Sequence, residues 1–123
     1  MEGAYELAVQ HEQMGYYAVV RLEVKLVSFF QGARVTFADP ATPWKAAAEF
    51  GVGYAYERTH RAGPKTLGAE VRVREIVWQP VDTTELLVAF AAAQAFCRAV
   101  GKAPPPTMRL EPATGAVVFP TRW

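Results

Sequence analysis

The stretch VDTTELLVAFAAAQAFCRAVG, Val81 to Gly101, decides the fold because its start, its face and its stop can all be read from residue types. Asp82 stands where an N-cap belongs, and Glu85 follows three residues later as a capping box requires. Val81 and Leu86 flank that box and can close a hydrophobic staple over it. Leu86, Ala89, Phe90, Ala93, Phe96, Cys97 and Val100 then recur at helical spacing, a stripe about three-sevenths of the helix wide. Arg98 suits the negative end of the helix dipole, and Gly101 supplies the left-handed residue that ends it. Five alanines (Ala89, Ala91, Ala92, Ala93, Ala95) keep the helix thin, so it can lie close on a sheet. Thr83, Thr84, Glu85, Gln94 and Arg98 read as cap and solvent face, and none of them carries chemistry.

Upstream the periodicity changes from helical to two. Tyr5, Leu7 and Val9 alternate with Glu6, Ala8 and Gln10, a half-buried strand. After a turn over His11 to Gly15, Val20, Leu22, Val24 and Leu26 face one way while Arg21, Glu23 and Lys25 face the other. Gln31-Gly32 punctuates, and Ala33, Val35 and Phe37 make a third strand. Short connections predict that these three form an antiparallel meander. Asp39-Pro40-Ala41-Thr42-Pro43 then announces a helix, with Thr42 as cap and Pro43 in its first position. Its expected buried face is Trp44, Ala47, Ala48, Val52, Ala55 and Tyr56. Gly51 and Gly53 weaken it by about 1 kcal/mol each relative to alanine; either they allow close packing on the sheet or the helix bends there, and close packing is favoured. Ala62-Gly63-Pro64 stops this helix.

Glu70 to Trp78 is the fourth strand. Val71 and Val73 share a face, but Ile76 and Trp78 take the opposite phase, and a bulge near Arg74-Glu75 would reconcile them. The expected architecture is therefore α+β: a single four-stranded sheet with two helices on one face, in the order βββαβα. Residues 1–103 form one domain. Residues 104–123 are a proline-rich linker and a tail whose short strand, Ala116 to Phe119, pairs with the sheet edge or belongs to a neighbour.

Composition narrows the function. With 123 residues there is room for one domain whose core buries about two-thirds of the unfolded surface. Hydrophobic residues make up 51% and charged ones 20%, which excludes a disordered chain. A net charge of +1 gives no general attraction for nucleic acid. A single cysteine excludes an internal disulfide and an all-cysteine metal site, and Cys97 falls on the buried stripe. No apolar run resembles a membrane span or a signal peptide, so a cytoplasmic protein is expected.

No glycine stands in a phosphate-loop frame, which argues against a nucleotide cofactor. His11 and His60 sit in different turns, and no helix carries histidines at metal-ligand spacing. No pair of carboxylates stands out as an acid–base couple, so neither catalytic nor metal-binding residues are expected. The one basic cluster is Arg58, His60, Arg61, Lys65, Arg72 and Arg74, diluted by Glu57, Glu70 and Glu75. It could hold a few phosphates or be a solvated rim. Tyr16, Tyr17 and Trp78 could stack on bases or simply be buried.

Taken together, Val81-Asp82-Thr83-Thr84-Glu85-Leu86 with Ala91-Ala92 and Ala95-Phe96 resembles the VDSSEL…AA..AF helix of domain IV of translation elongation factor G. Gly15-Tyr16-Tyr17-Ala18-Val19-Val20 is similar to that family's GQYG-type strand start. Gly63-Pro64 matches its GP turn, and Leu110-Glu111-Pro112 resembles the segment that leads into its next domain. The pieces run in the family's order over nearly the whole chain. The resemblance implies the fold of the second domain of ribosomal protein S5, whose β-α-β crossover is left-handed against the usual rule. It also implies contact with the ribosomal decoding site through two tips, here His11, Glu12, Gln13, Met14 and Gly15, and Trp78, Gln79 and Pro80 up to Val81. Arg58, Arg61 and Lys65 would be secondary RNA contacts. The chain lacks the GTPase domain of the factor, so the expectation is a non-catalytic, stand-alone, ribosome- or RNA-associated module. The rival is a protein-interaction or self-associating module that has lost RNA contact.

Overall fold

The computed structural model of the chain describes residues 1–60, 67–106 and 108–119, without the side chain of His60. The elements run β1 (Glu2–His11), β2 (Met14–Val27), β3 (Ala33–Phe37), α1 (Lys45–His60), β4 (Gly68–Val77), α2 (Glu85–Val100), β5 (Arg109–Glu111) and β6 (Ala116–Val118). The first four strands make one mixed sheet in the spatial order β1-β2-β4-β3, and the class is α+β. β1 and β2 pair antiparallel from Glu2↔Glu23 to His11↔Met14, and β2 and β4 are antiparallel too. β3 is parallel to β4, with Ala33↔Ala69 at one end and Phe37↔Val73 at the other.

The expected meander is therefore corrected. β4 lies between β2 and β3, because the α1 crossover returns the chain parallel to β3 and the free edge of β2 takes the new strand. The bulge foreseen from the break of phase is present: Arg21 pairs with Glu75 while Leu22 pairs with Val73, leaving Arg74 without an opposite residue. That extra residue turns Ile76 inward, where it packs against the core.

Both helices cover one face of the sheet, with α2 over β1 and β2, and α1 beside α2 and reaching β3. Val20, Leu22, Val24, Val71 and Val73 point into this layer and are at most 2% exposed. α2 is buried nearly all round rather than along a stripe. Phe96 and Ala95 are fully covered and Phe90 is 6% exposed, but Leu87 and Val88 are inside while Leu86 is 49% exposed. α1 lies so close that a Cβ on Gly51 would overlap the Ala89 carbonyl. The glycine thus serves contact with the neighbouring helix, not with the sheet, and Gly53 meets nothing within 4 Å.

The start of α2 differs from the sequence reading. Thr84, not Asp82, is the N-cap, and its hydroxyl accepts from the Leu87 N–H at 3.3 Å. The Asp82–Glu85 box and the Val81–Leu86 staple do not form; Val81 is 90% exposed. At the other end Gly101 has φ 70°, its N–H donates to the Arg98 carbonyl, and the Lys102 N–H donates to the Cys97 carbonyl. Those two bonds close a Schellman motif that satisfies the last carbonyls. α1 likewise starts later than expected. The Trp44 carbonyl accepts from the Ala48 N–H, and the Thr42 hydroxyl accepts from the Trp44 N–H at 3.4 Å.

β6 pairs with β5, not with the edge of the main sheet. This small hairpin packs on the helical layer, where Phe119 meets Phe50 and Tyr54 edge-on at 5.1 and 5.0 Å. Tyr16 Oη donates to the Pro112 carbonyl at 2.7 Å and ties the hairpin to β2.

The opposite face of the sheet is open and charged. Lys25, Glu70 and Arg34 stand in one row across β2, β4 and β3, and Glu23, Arg72 and Thr36 stand in the next. Arg74 pairs with Glu23, and Arg21 with Glu75 at 3.2 Å. Among the described residues no helix is long and apolar enough to cross a membrane.

Candidate functional site

The two loops singled out by the sequence meet at one end of the sheet. β1 and β2 run further than expected, so the first loop is a tight hairpin turn over Glu12 and Gln13. Glu12 takes the left-handed conformation, φ 56°, as so short a link demands. The Gln10 side-chain amide donates to the Glu12 carbonyl at 3.1 Å and braces the turn. Met14 is 46% exposed beside it.

The second loop leaves β4 through Trp78, Gln79 and Pro80, all exposed, and is closed by Thr83. The Thr83 hydroxyl accepts from the Gln79 N–H at 2.8 Å and donates to the Tyr17 carbonyl at 2.6 Å. The Thr83 N–H donates back to the Gln79 carbonyl, and the Tyr17 N–H donates to the Asp82 carbonyl at 3.0 Å. Backbone and hydroxyl together stitch this loop to the first turn of β2. The stitch holds Asp82 so close that a Cβ on Gly15 would lie 2.9 Å from its carboxylate. Thr83, assigned from sequence to the solvent face, is thus 7% exposed and a structural pin. It is also why α2 begins late: Asp82 and Thr83 are engaged with β2 and cannot cap the helix.

Arg58 stands apart from both tips. It follows Trp44 by fourteen residues along α1, roughly 21 Å of helix, and its guanidinium lies 3.9 Å over the Tyr54 ring. Arg61 and Lys65 lie outside the described residues. The tips themselves, residues 11–15 and 78–81, contain no lysine or arginine. Any contact they make with RNA must therefore rest on stacking and hydrogen bonds more than on charge.

Beside the second tip is an aromatic pair that the sequence did not connect. Trp44, at the start of α1, meets Trp78, at the end of β4, edge-on at 5.6 Å. Trp78 is 42% exposed, and the Trp44 Nε1–H is buried without an acceptor among the described residues. Only the parallel return of β4 beside β3 brings these two positions together, and no local signal announces it.

Elsewhere the structure offers little chemistry. Cys97 is buried on α2, and burial pushes its thiol up to about 11. Among the described residues no three His, Cys, Asp or Glu side chains are grouped to hold a metal ion. A hollow of about 550 Å³ on the open sheet face is lined by Lys25, Arg34 and Arg72, with Glu23 and Glu70 between them. The alternation of sign leaves no concentrated charge there, so it is a weaker candidate than the tip end.

No protein-family model matches the chain, and no curated protein matches it. Among solved structures it is similar to ttk003000868 from Thermus thermophilus, with 25% identity and a TM-score of 0.61 over 77% of this chain. The matched part spans 14% of that longer protein, so the likeness is one of domain fold.

Proposed function

We propose that the chain is a non-catalytic module with the fold of elongation factor G domain IV, built on a left-handed β3-α1-β4 crossover. In this reading it associates with the ribosome or its RNA in the cytoplasm, without cofactor or nucleotide. The contacts are His11, Glu12, Gln13, Met14 and Gly15 on one tip and Trp78, Gln79 and Pro80 on the other, with Arg58, Arg61 and Lys65 as secondary RNA contacts. The observation that carries the reading is the convergence of loops some 65 residues apart in sequence, held by the Tyr17–Asp82 and Tyr17–Thr83 bonds. A likeness confined to a small part of a longer chain also suits a unit used inside larger proteins.

The test is co-sedimentation with ribosomes across a salt series, using the parent and a Gln79→Ala/Gln13→Ala variant. Salt-sensitive pelleting that the variant loses supports the reading. Pelleting by neither protein at low salt refutes it. Phe29, 72% exposed against Phe30 at 5.2 Å, favours the rival reading of a protein-binding or self-associating module. Association that ignores nuclease and salt, and that Phe29→Ser abolishes, would replace the first reading with the second.

A further inference from the structure

β3 stops at Phe37, opposite Val73, whereas β4 continues to Val77. Among the described residues no strand pairs with Arg74–Val77 on the β3 side, because the chain turns away through Asp39 and Thr42 into α1. The step between the two strand ends leaves a cleft of about 170 Å³. Phe37, Val73 and Ile76 line it, Pro43 and Thr42 stand beside them, and Trp78 forms a wall. Of the charged lining residues, Arg74 and Glu75 are engaged with Glu23 and Arg21, while the Asp39 carboxylate accepts from the Ala41 N–H at 3.0 Å, so the cleft carries one negative charge, an acceptor for the amino edge of a base.

The size and chemistry restrict what can enter. The volume is well below the roughly 300–1,000 Å³ of drug-sized pockets and accommodates one planar ring system. A half-exposed indole supplies a stacking face, and beyond Val73 the β4 backbone on the side away from β2 supplies donors and acceptors that no strand among the described residues uses. A flat heterocycle with a hydrogen-bonding edge needs that combination, and unpaired bases are recognised in this way.

We propose that the cleft between Trp78, Pro43 and the free end of β4 takes one unpaired nucleobase presented by single-stranded RNA. The base stacks on Trp78 and pairs its edge with the strand backbone. A duplex is refused, since its bases are already stacked and their edges paired. This inference rests on the RNA reading for the source of the base and adds the site and strandedness.

The experiment measures fluorescence anisotropy of a dye-labelled single-stranded RNA hexamer titrated with the full chain, alongside the same hexamer annealed to its complement and a labelled mononucleotide. The expected result is binding of the single strand, at least tenfold weaker binding of the duplex and the mononucleotide, and a fivefold to hundredfold loss in Trp78→Leu. Trp78→Phe, which keeps an aromatic face, should recover most of that loss, and matching circular dichroism melts show that both variants fold. Equal binding of duplex and single strand, or hexamer binding unchanged by Trp78→Leu, overturns the proposal. A mononucleotide that binds as tightly as the hexamer overturns the RNA source. Ribosome co-sedimentation of the same variants keeps the two readings separable. Pelleting retained alongside hexamer binding that ignores Trp78 sinks the cleft alone. Hexamer binding that needs Trp78 without any pelleting sinks the ribosomal reading alone.

Discussion

Replacing Thr83 by valine removes a hydroxyl and almost nothing else, and the structure says what that hydroxyl holds. It accepts from the Gln79 N–H at 2.8 Å and donates to the Tyr17 carbonyl at 2.6 Å, at a position 7% exposed. Valine fills the same space, so no cavity opens. The cost comes from leaving a backbone donor and a backbone acceptor without partners, about 1–3 kcal/mol for each group that water cannot reach. Both lie near the tip, where solvent can reach part of the way, so a total of roughly 2–3 kcal/mol is expected. That is a large fraction of the ~5–15 kcal/mol by which domains of this size are stable. For 123 residues it should lower Tm by about 8–12 °C. Urea unfolding followed by circular dichroism measures it, with Thr83→Ser as control. Serine keeps both bonds and loses one methyl, so its midpoint should stay within about 1 kcal/mol of the parent. A Thr83→Val midpoint equal to that of Thr83→Ser would refute the claim that this hydroxyl pins the second tip.

Two further expectations follow from the helical layer. Gly51→Ala should destabilise by about 1–3 kcal/mol, because the new methyl overlaps the Ala89 carbonyl. Gly53→Ala, two residues away in open space, should stabilise by up to about 1 kcal/mol through helix propensity, and denaturation midpoints shifting the same way in both would contradict this packing. Because the folded Cys97 thiol keeps its proton up to about pH 11 while the unfolded one releases it near 9, stability should fall as pH rises through that window, by about 2–3 kcal/mol in total. Cys97→Ala should flatten the decline, and a variant with an unchanged profile would show that another group causes it.

What the sequence disclosed depended on how local the governing contact is. Gly101, Phe90 and Phe96 were readable because a helix end and a buried face are written within a few residues. The bulge at Arg74 was readable because a break in alternation is visible along one strand. The cap of α2 was not, since Asp82, Thr83 and Thr84 are all good caps and β2 engages two of them first. The strand order was not, since alternation identifies strands and says nothing about which neighbour each will take. The two loops were put forward as tips through resemblance alone, and residue patterns show there only turns. Trp44 and Trp78 each read as half-buried aromatics, and only the topology makes them neighbours.

The charged rows on the open face have one more effect. Moving β2 along β4 by a single residue would put its valines and leucines in water, so the misalignment to be prevented is a shift by two, which keeps them inside. In one direction such a shift sets Glu23 against Glu70 and Arg21 against Arg72; in the other it sets Lys25 against Arg72, with Glu23 against Arg74 as partial compensation. Each wrong alignment juxtaposes like charges, and the native one alternates them. The side chains that contribute least to the core therefore act as a vernier, favouring one alignment of the two central strands over its nearest rivals.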